Sequence, residues 1–93
     1  PLGVVATIIP FNFPSDLFCQ KVPSALIMGN SVIVKPSTSN PLTLGRFCQL
    51  MKEAGVVDGA INCLFGRGEV VGDALSKSNL EVLKERFISA TIF

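Results

Sequence analysis

Asn12 is the only polar side chain in the stretch Pro10-Phe11-Asn12-Phe13-Pro14, where two prolines bracket one amide. Each proline fixes its own φ and biases the residue before it toward extended geometry. The pair therefore predicts that Ile9 and Phe13 stay out of helix and that the chain turns between them. An amide aimed by so stiff a corner at a strand's carboxyl end can donate a hydrogen bond to a ligand with little loss of rotamer freedom. The structural alternative is that Asn12 caps the next helix or ties the turn to itself. Lys35 is a second candidate, a lone charge that ends an apolar run and precedes the hydroxyl-rich Ser37, Thr38 and Ser39. It can hold a phosphate or a sugar hydroxyl, or simply leave a sheet edge for solvent. The third is Gly66-Arg67-Gly68-Glu69-Val70-Val71-Gly72, spaced G-x-G-x-x-x-G. Such a loop opens a helix whose N-terminal amides favour an anion, or serves only as a tight turn with close packing. Its spacing is one residue longer than the dinucleotide fingerprint G-x-G-x-x-G.

Other chemistries find little support. Cys19, Cys48 and Cys63 lack a Cys-x-x-Cys pair, and the chain has no histidine. The expectation is three reduced, packed thiols, no zinc site and no thiolate nucleophile, in a cytoplasmic protein. Eight Lys and Arg against seven Asp and Glu give a net charge of +1, scattered along the chain, so nucleic acid is not an expected partner. Lys21, Asn30 and Lys35 interrupt the apolar stretches before any reaches membrane-spanning length, and no basic segment precedes an apolar one as in a signal peptide.

The elements that must position these residues follow from the apolar pattern. Gly3 to Ile9 is β-branched and almost continuously apolar, as in a parallel strand covered on both faces. From Pro14-Ser15-Asp16 a helix is expected through Met28, with Phe18, Val22, Ala25 and Leu26 on one face. Pro23 predicts a bend near Phe18 and Cys19, or a break into two shorter helices. Gly29-Asn30 suits a left-handed helix end. Ser31 to Lys35 reads as a second strand. Asn40 then caps a helix with Pro41 at its first position, Leu44, Phe47, Cys48 and Met51 as its inward stripe, and Gly55 at its close. Ile61 to Phe65 reads as a third strand running into the glycine loop and a helix from Asp73 to Lys77. The order β-α-β-α-β-α with short connections predicts an α/β fold with an incomplete Rossmann-like parallel sheet. Parallel strands present their carboxyl ends together, so 10–14, 35–40 and 66–72 should meet at the ligand-binding edge.

The ordered set Pro1 to Val5, Pro10 to Pro14, Pro23 to Asn30, Lys35 to Leu42, Glu53 to Gly55 and Gly66 to Gly68 resembles the NAD(P)-dependent aldehyde dehydrogenase superfamily. The resemblance runs from Pro1 to about Ser78 and implies one partial nucleotide-binding domain over 1–93. It implies that Asn12 helps form the oxyanion hole and that Ile9, Pro10 and Phe11 lie beside the nicotinamide half of NAD or NADP. Lys35 matches the lysine that bonds the adenosine ribose, with Ser37 in the same loop, and Gly68 and Gly72 match the turn near the adenine. The full-length protein would take an aldehyde and a dinucleotide as partners and form a homo-oligomer.

Three departures qualify the match. Phe11 stands where the family more often has tryptophan and is similar there to some semialdehyde and CoA-acylating members, so the product implied is a carboxylic acid or an acyl-CoA. Thr38 stands where the family often has a glutamate that repels a 2′-phosphate, which implies relaxed preference between NAD and NADP. Residues 79–93 contain no glycine where the family carries a second glycine loop. The expectation there is a short helix with Leu80, Leu83 and Phe87 on one face, then a strand over 88–93. The family's nucleophilic cysteine and general-base glutamate match no position in this chain, so alone it should not oxidise aldehydes. The rival expectations are an inactive truncated remnant or interaction module, and a small nucleotide-binding protein that folds alone.

Overall fold

In a computed structural model that describes residues 1–78, three parallel strands alternate with helices. The strands are β1 (Val4–Ile8), β2 (Ser31–Lys35) and β3 (Ile61–Cys63), hydrogen-bonded in the order β1-β2-β3. The helices are α1 (Pro14–Ile27), α2 (Pro41–Glu53) and α3 (Asp73–Lys77), the last continuing a π-helical turn at Gly68–Gly72. Val4 pairs with Ser31 and Ile8 with Lys35, while Val32 pairs with Ile61 and Val34 with Cys63. The expected α/β order is therefore present, and the strand ends carrying the candidate residues share one edge.

Side chains alternate across a strand, so consecutive burial of Val5, Ala6 and Thr7 means that both faces of β1 are covered. On one face Val5, Ile9, Val32 and Val34 pack with Phe18, Val22, Ala25 and Leu44. Phe47, Cys48 and Met51 extend that cluster, and the Phe18 and Phe47 rings lie 5.3 Å apart between centroids. On the other face Ala6 meets Leu75, flanked by Ile8, Ile33 and Val71.

Several local expectations need correction. Phe13 is not extended: it adopts φ 55° and ψ 46°, a left-handed conformation that costs a bulky residue energy. That turn orients its carbonyl to accept the first helical bond, from the Leu17 N–H at 3.1 Å. Pro23 does not divide α1 into two helices, and the element runs from Pro14 to Ile27. Proline removes one backbone donor there, but Phe18, Val22 and Ala25 on either side of it are held in the core. Strand β3 stops at Cys63, two residues short of Phe65, after a last ladder bond from Leu64 N–H to the Val34 carbonyl at 2.9 Å. Gly66 turns the chain away with φ 155°, and an added Cβ would stand 2.3 Å from Val71 Cγ2, so the position has room only for glycine.

Asn30 does more than end α1. Its Oδ1 accepts from the N–H groups of Leu2 (2.6 Å) and Gly3 (3.1 Å), and its Nδ2 donates to the Ala25 carbonyl at 2.9 Å. One buried amide thus joins the start of β1, the end of α1 and the entry to β2. The helix and strand expected over 79–93 lie outside the described residues. Among the described residues no helix is long and apolar enough to cross a membrane.

Candidate functional site

The corner after β1 leaves Asn12 half-buried with unused hydrogen-bonding capacity. No side chain caps the N-terminus of α1, and the Asn12 amide has no partner among the described residues, with Oδ1 fully enclosed. An enclosed amide oxygen without a donor costs on the order of 1–3 kcal/mol. Neither the capping role nor the turn-tying role considered for Asn12 is therefore filled. The corner is held from outside instead: Asn40 Nδ2 donates to the Phe11 carbonyl at 2.9 Å. The sequence marks Asn40 as a helix cap, and it does occupy the N-cap of α2 with Pro41 following. Its amide, however, spans to the first loop and makes no capping bond.

Lys35 does not leave the sheet for solvent. It is 2% exposed, and its Nζ donates to the Pro36 carbonyl at 2.8 Å. Burial holds its pKa below the ordinary value, partly offset by attraction to Glu69. That attraction identifies a neighbour that sequence reasoning passed over, since Glu69 stands between the glycines of the third loop. Ammonium carries three donors, so the Pro36 contact leaves capacity for an oxygen-rich ligand. Ser37 Oγ accepts from Ser39 N–H at 3.2 Å, and Thr38 beside it is exposed.

Gly68 and Gly72 line an open cleft of about 510 Å³ together with Ile8, Glu69, Asp73 and Ser76. The two glycines differ in what surrounds them. An added Cβ at Gly72 would make ordinary contact with Ile8 Cδ1 at 3.7 Å, whereas at Gly68 it would meet nothing within 4 Å. Gly68 is thus not required by packing among the described residues, and the space over it is open to a ligand.

One hydrogen bond joins the first two loops, from Asn40 to the Phe11 carbonyl, and Ile8 at the end of β1 lies against Gly72 of the third. Not every candidate side chain faces the edge. Ile9 is buried in the core and donates its N–H to the Lys35 carbonyl at 3.0 Å, so its side chain belongs to the core and not to the edge. Pro10 is half-buried and Phe11 is exposed, and Asn12 does not line the cleft at Gly68 and Gly72. One cysteine departs from expectation: Cys19 is exposed on α1, while Cys48 and Cys63 are half-buried, and all three are free thiols.

The family model for the "Aldehyde dehydrogenase family" matches residues 1–84. The chain belongs to the aldehyde dehydrogenase family. Among curated relatives of this aldehyde dehydrogenase chain, the NADP/NAD-dependent aldehyde dehydrogenase PuuC of Escherichia coli is 51% identical over 79 residues, covering 85% of the chain and 16% of the relative. The phenylacetaldehyde dehydrogenase of Pseudomonas fluorescens is 46% identical over 91 residues, covering 98% and 18%. A solved indole-3-acetaldehyde dehydrogenase complexed with NAD+ superposes with a TM-score of 0.82 at 49% identity, covering 88% of this chain and 16% of that one. The chain therefore spans less than a fifth of the length of these relatives. Its three-stranded parallel sheet and helices have the fold of the corresponding part of those enzymes.

Proposed function

We propose that this chain forms the cofactor-facing part of the nucleotide-binding domain of a cytoplasmic, homo-oligomeric NAD(P)-dependent aldehyde dehydrogenase. The observation that carries the reading is the convergence of the strand ends and the glycine loop at one sheet edge: Ile8 pairs with Lys35 and reaches to Gly72, with open space over Gly68. The residues present fit a dinucleotide: Lys35 has spare donors, and Gly68 has no neighbour that a ligand would displace. Lys35 and Ser37 would hold the adenosine ribose, and Gly68 and Gly72 would let the chain approach the adenine side. Ile9, Pro10 and Phe11 would flank the nicotinamide. NAD(P), when bound, supplies the hydride acceptor.

Asn12 would act on the aldehyde itself. Addition of a thiolate to a carbonyl moves charge onto the carbonyl oxygen, and a preplaced amide N–H lowers the energy of that charge without reorganising. The thiolate and the general base that releases the acid would come from parts of the full-length enzyme beyond this chain. In that enzyme Asn12→Ala should lower kcat by about 10²–10³-fold. Dinucleotide affinity should change little, because the Asn12 side chain does not line the Gly68 cleft. An unchanged kcat would remove Asn12 from the oxyanion role.

Thr38 bears on the choice of cofactor. A neutral, exposed side chain beside Lys35 does not repel a 2′-phosphate, so NAD and NADP should both be used, as in the name of the Escherichia coli relative. Thr38→Glu should then lower kcat/KM for NADP by about tenfold or more while sparing NAD, by like-charge repulsion. Strict exclusion of NADP by the unmodified enzyme would contradict this reading.

A further inference from the structure

One residue at the sheet edge has no part in that chemistry, yet it holds the backbone next to Asn12. Asn40 stands at the N-cap of α2 without making a capping bond, and its Nδ2 crosses 29 positions of chain to the Phe11 carbonyl at 2.9 Å. That carbonyl belongs to the peptide unit that carries the Asn12 N–H. A peptide unit is planar, so the bond fixes the plane from which the Asn12 side chain departs. On the other side, Phe13 holds its left-handed φ of 55° and gives its carbonyl to the Leu17 N–H at 3.1 Å. Asn12 thus lies between two anchored carbonyls, one held by α1 and the other by a side chain from the Lys35 to Asn40 loop.

Folding gains little from this arrangement. Asn40 Oδ1 is enclosed and has no partner among the described residues. An enclosed amide oxygen without a donor costs at least as much as one neutral hydrogen bond returns, so what Asn40 supplies is direction and not stability.

We propose that Asn40 is a positioning residue for the oxyanion amide, holding the Phe11–Asn12 peptide so that Asn12 Nδ2 stays aimed at the aldehyde oxygen. The inference rests on the oxyanion role of Asn12. Without the bond the Phe11 carbonyl turns to water and the peptide unit rotates. The Asn12 donor must then reorganise as charge develops, and a donor stabilises the oxyanion best when it is already in place.

Steady-state kinetics of the full-length enzyme with an aldehyde and NAD+ test this through a double-mutant cycle. Asn40→Ser keeps a residue type suited to a helix start but ends one bond short of Phe11, so its urea midpoint should match that of the unmodified protein. Its kcat should fall by about tenfold or more, the scale of a small misplacement, with the KM for NAD+ unchanged. In an Asn12→Ala background the same substitution should change kcat by less than about twofold, because no amide is left to position. Asn40→Asp keeps the shape and removes the donor, and its kcat should fall at least as far. Unchanged kcat in folded Asn40→Ser, an equal fall in both backgrounds, or a raised KM for NAD+ in place of a lowered kcat would each overturn the proposal and leave the role of Asn12 standing. Unchanged kcat in Asn12→Ala alone would overturn that role and the proposal with it.

Discussion

On the face under α1 and α2, the sheet buries Val5, Ile9, Val32 and Val34 against Phe18, Val22 and Leu44; on the face under α3, Ala6 meets Leu75 with only half-buried neighbours. Among the described residues the first face is sealed by two helices of 14 and 13 residues, the second by five residues and the turn before them. Burial stabilises in rough proportion to the apolar area removed from water, so the first face should carry most of the stability. The open cleft lies on the thinner side, where Ile8, Gly68 and Gly72 meet. A surface that must admit a ligand cannot also be filled by side chains, and the asymmetry separates holding the fold from holding the cofactor.

The largest break in that comparison should come from Phe18→Ala. It removes a ring that is 2% exposed and tilted against Phe47, at an expected cost of about 3–5 kcal/mol. Leu75→Ala on the other face should cost about 2 kcal/mol, the low end of the range for leucine truncation, because its surroundings are only partly packed. Urea unfolding of both variants decides the point, and equal losses would mean that the two faces contribute alike.

Lys35 sharpens the comparison through pH. Its folded-state pKa lies below 10.5, so the unfolded chain binds that proton more tightly than the folded one. Stability should then rise with pH across the window between the lowered value and 10.5, as the buried ammonium loses its charge. Lys35→Met should remove this rise and be more stable than the unmodified protein near neutral pH. Urea midpoints at several pH values would show it, and an identical slope in both proteins would place the ammonium in water.

Much of this architecture was legible in the residues, and the limits have physical causes. Ser31 to Lys35 was read with its observed boundaries because three β-branched residues end at a charge and a proline, and local chemistry alone stops the strand. The helix start at Pro14 and the Asn40-Pro41 cap were legible for the same reason. Pro23 misled because its cost is local whereas the packing that keeps α1 whole comes from β1 and β2. Phe13 was read as extended from proline sterics, although the carbonyl direction needed at the start of α1 selects a left-handed turn. The candidate site follows the same division. Asn12, Lys35 and the glycine loop stand out by type and spacing, whereas the Asn40 bond to Phe11 links separate loops.

The measurement that tests the central claim most directly is titration calorimetry of the full-length protein with NAD+, comparing the unmodified form with Gly68→Ala. A methyl group at Gly68 enters open space, so unfolding stability should stay the same or rise by about 0.4–1 kcal/mol. If that space receives the dinucleotide, affinity should fall by about tenfold or more, equivalent to 1.4 kcal/mol. Unchanged affinity in a stably folded variant would contradict the assignment of the Gly68 edge to the cofactor.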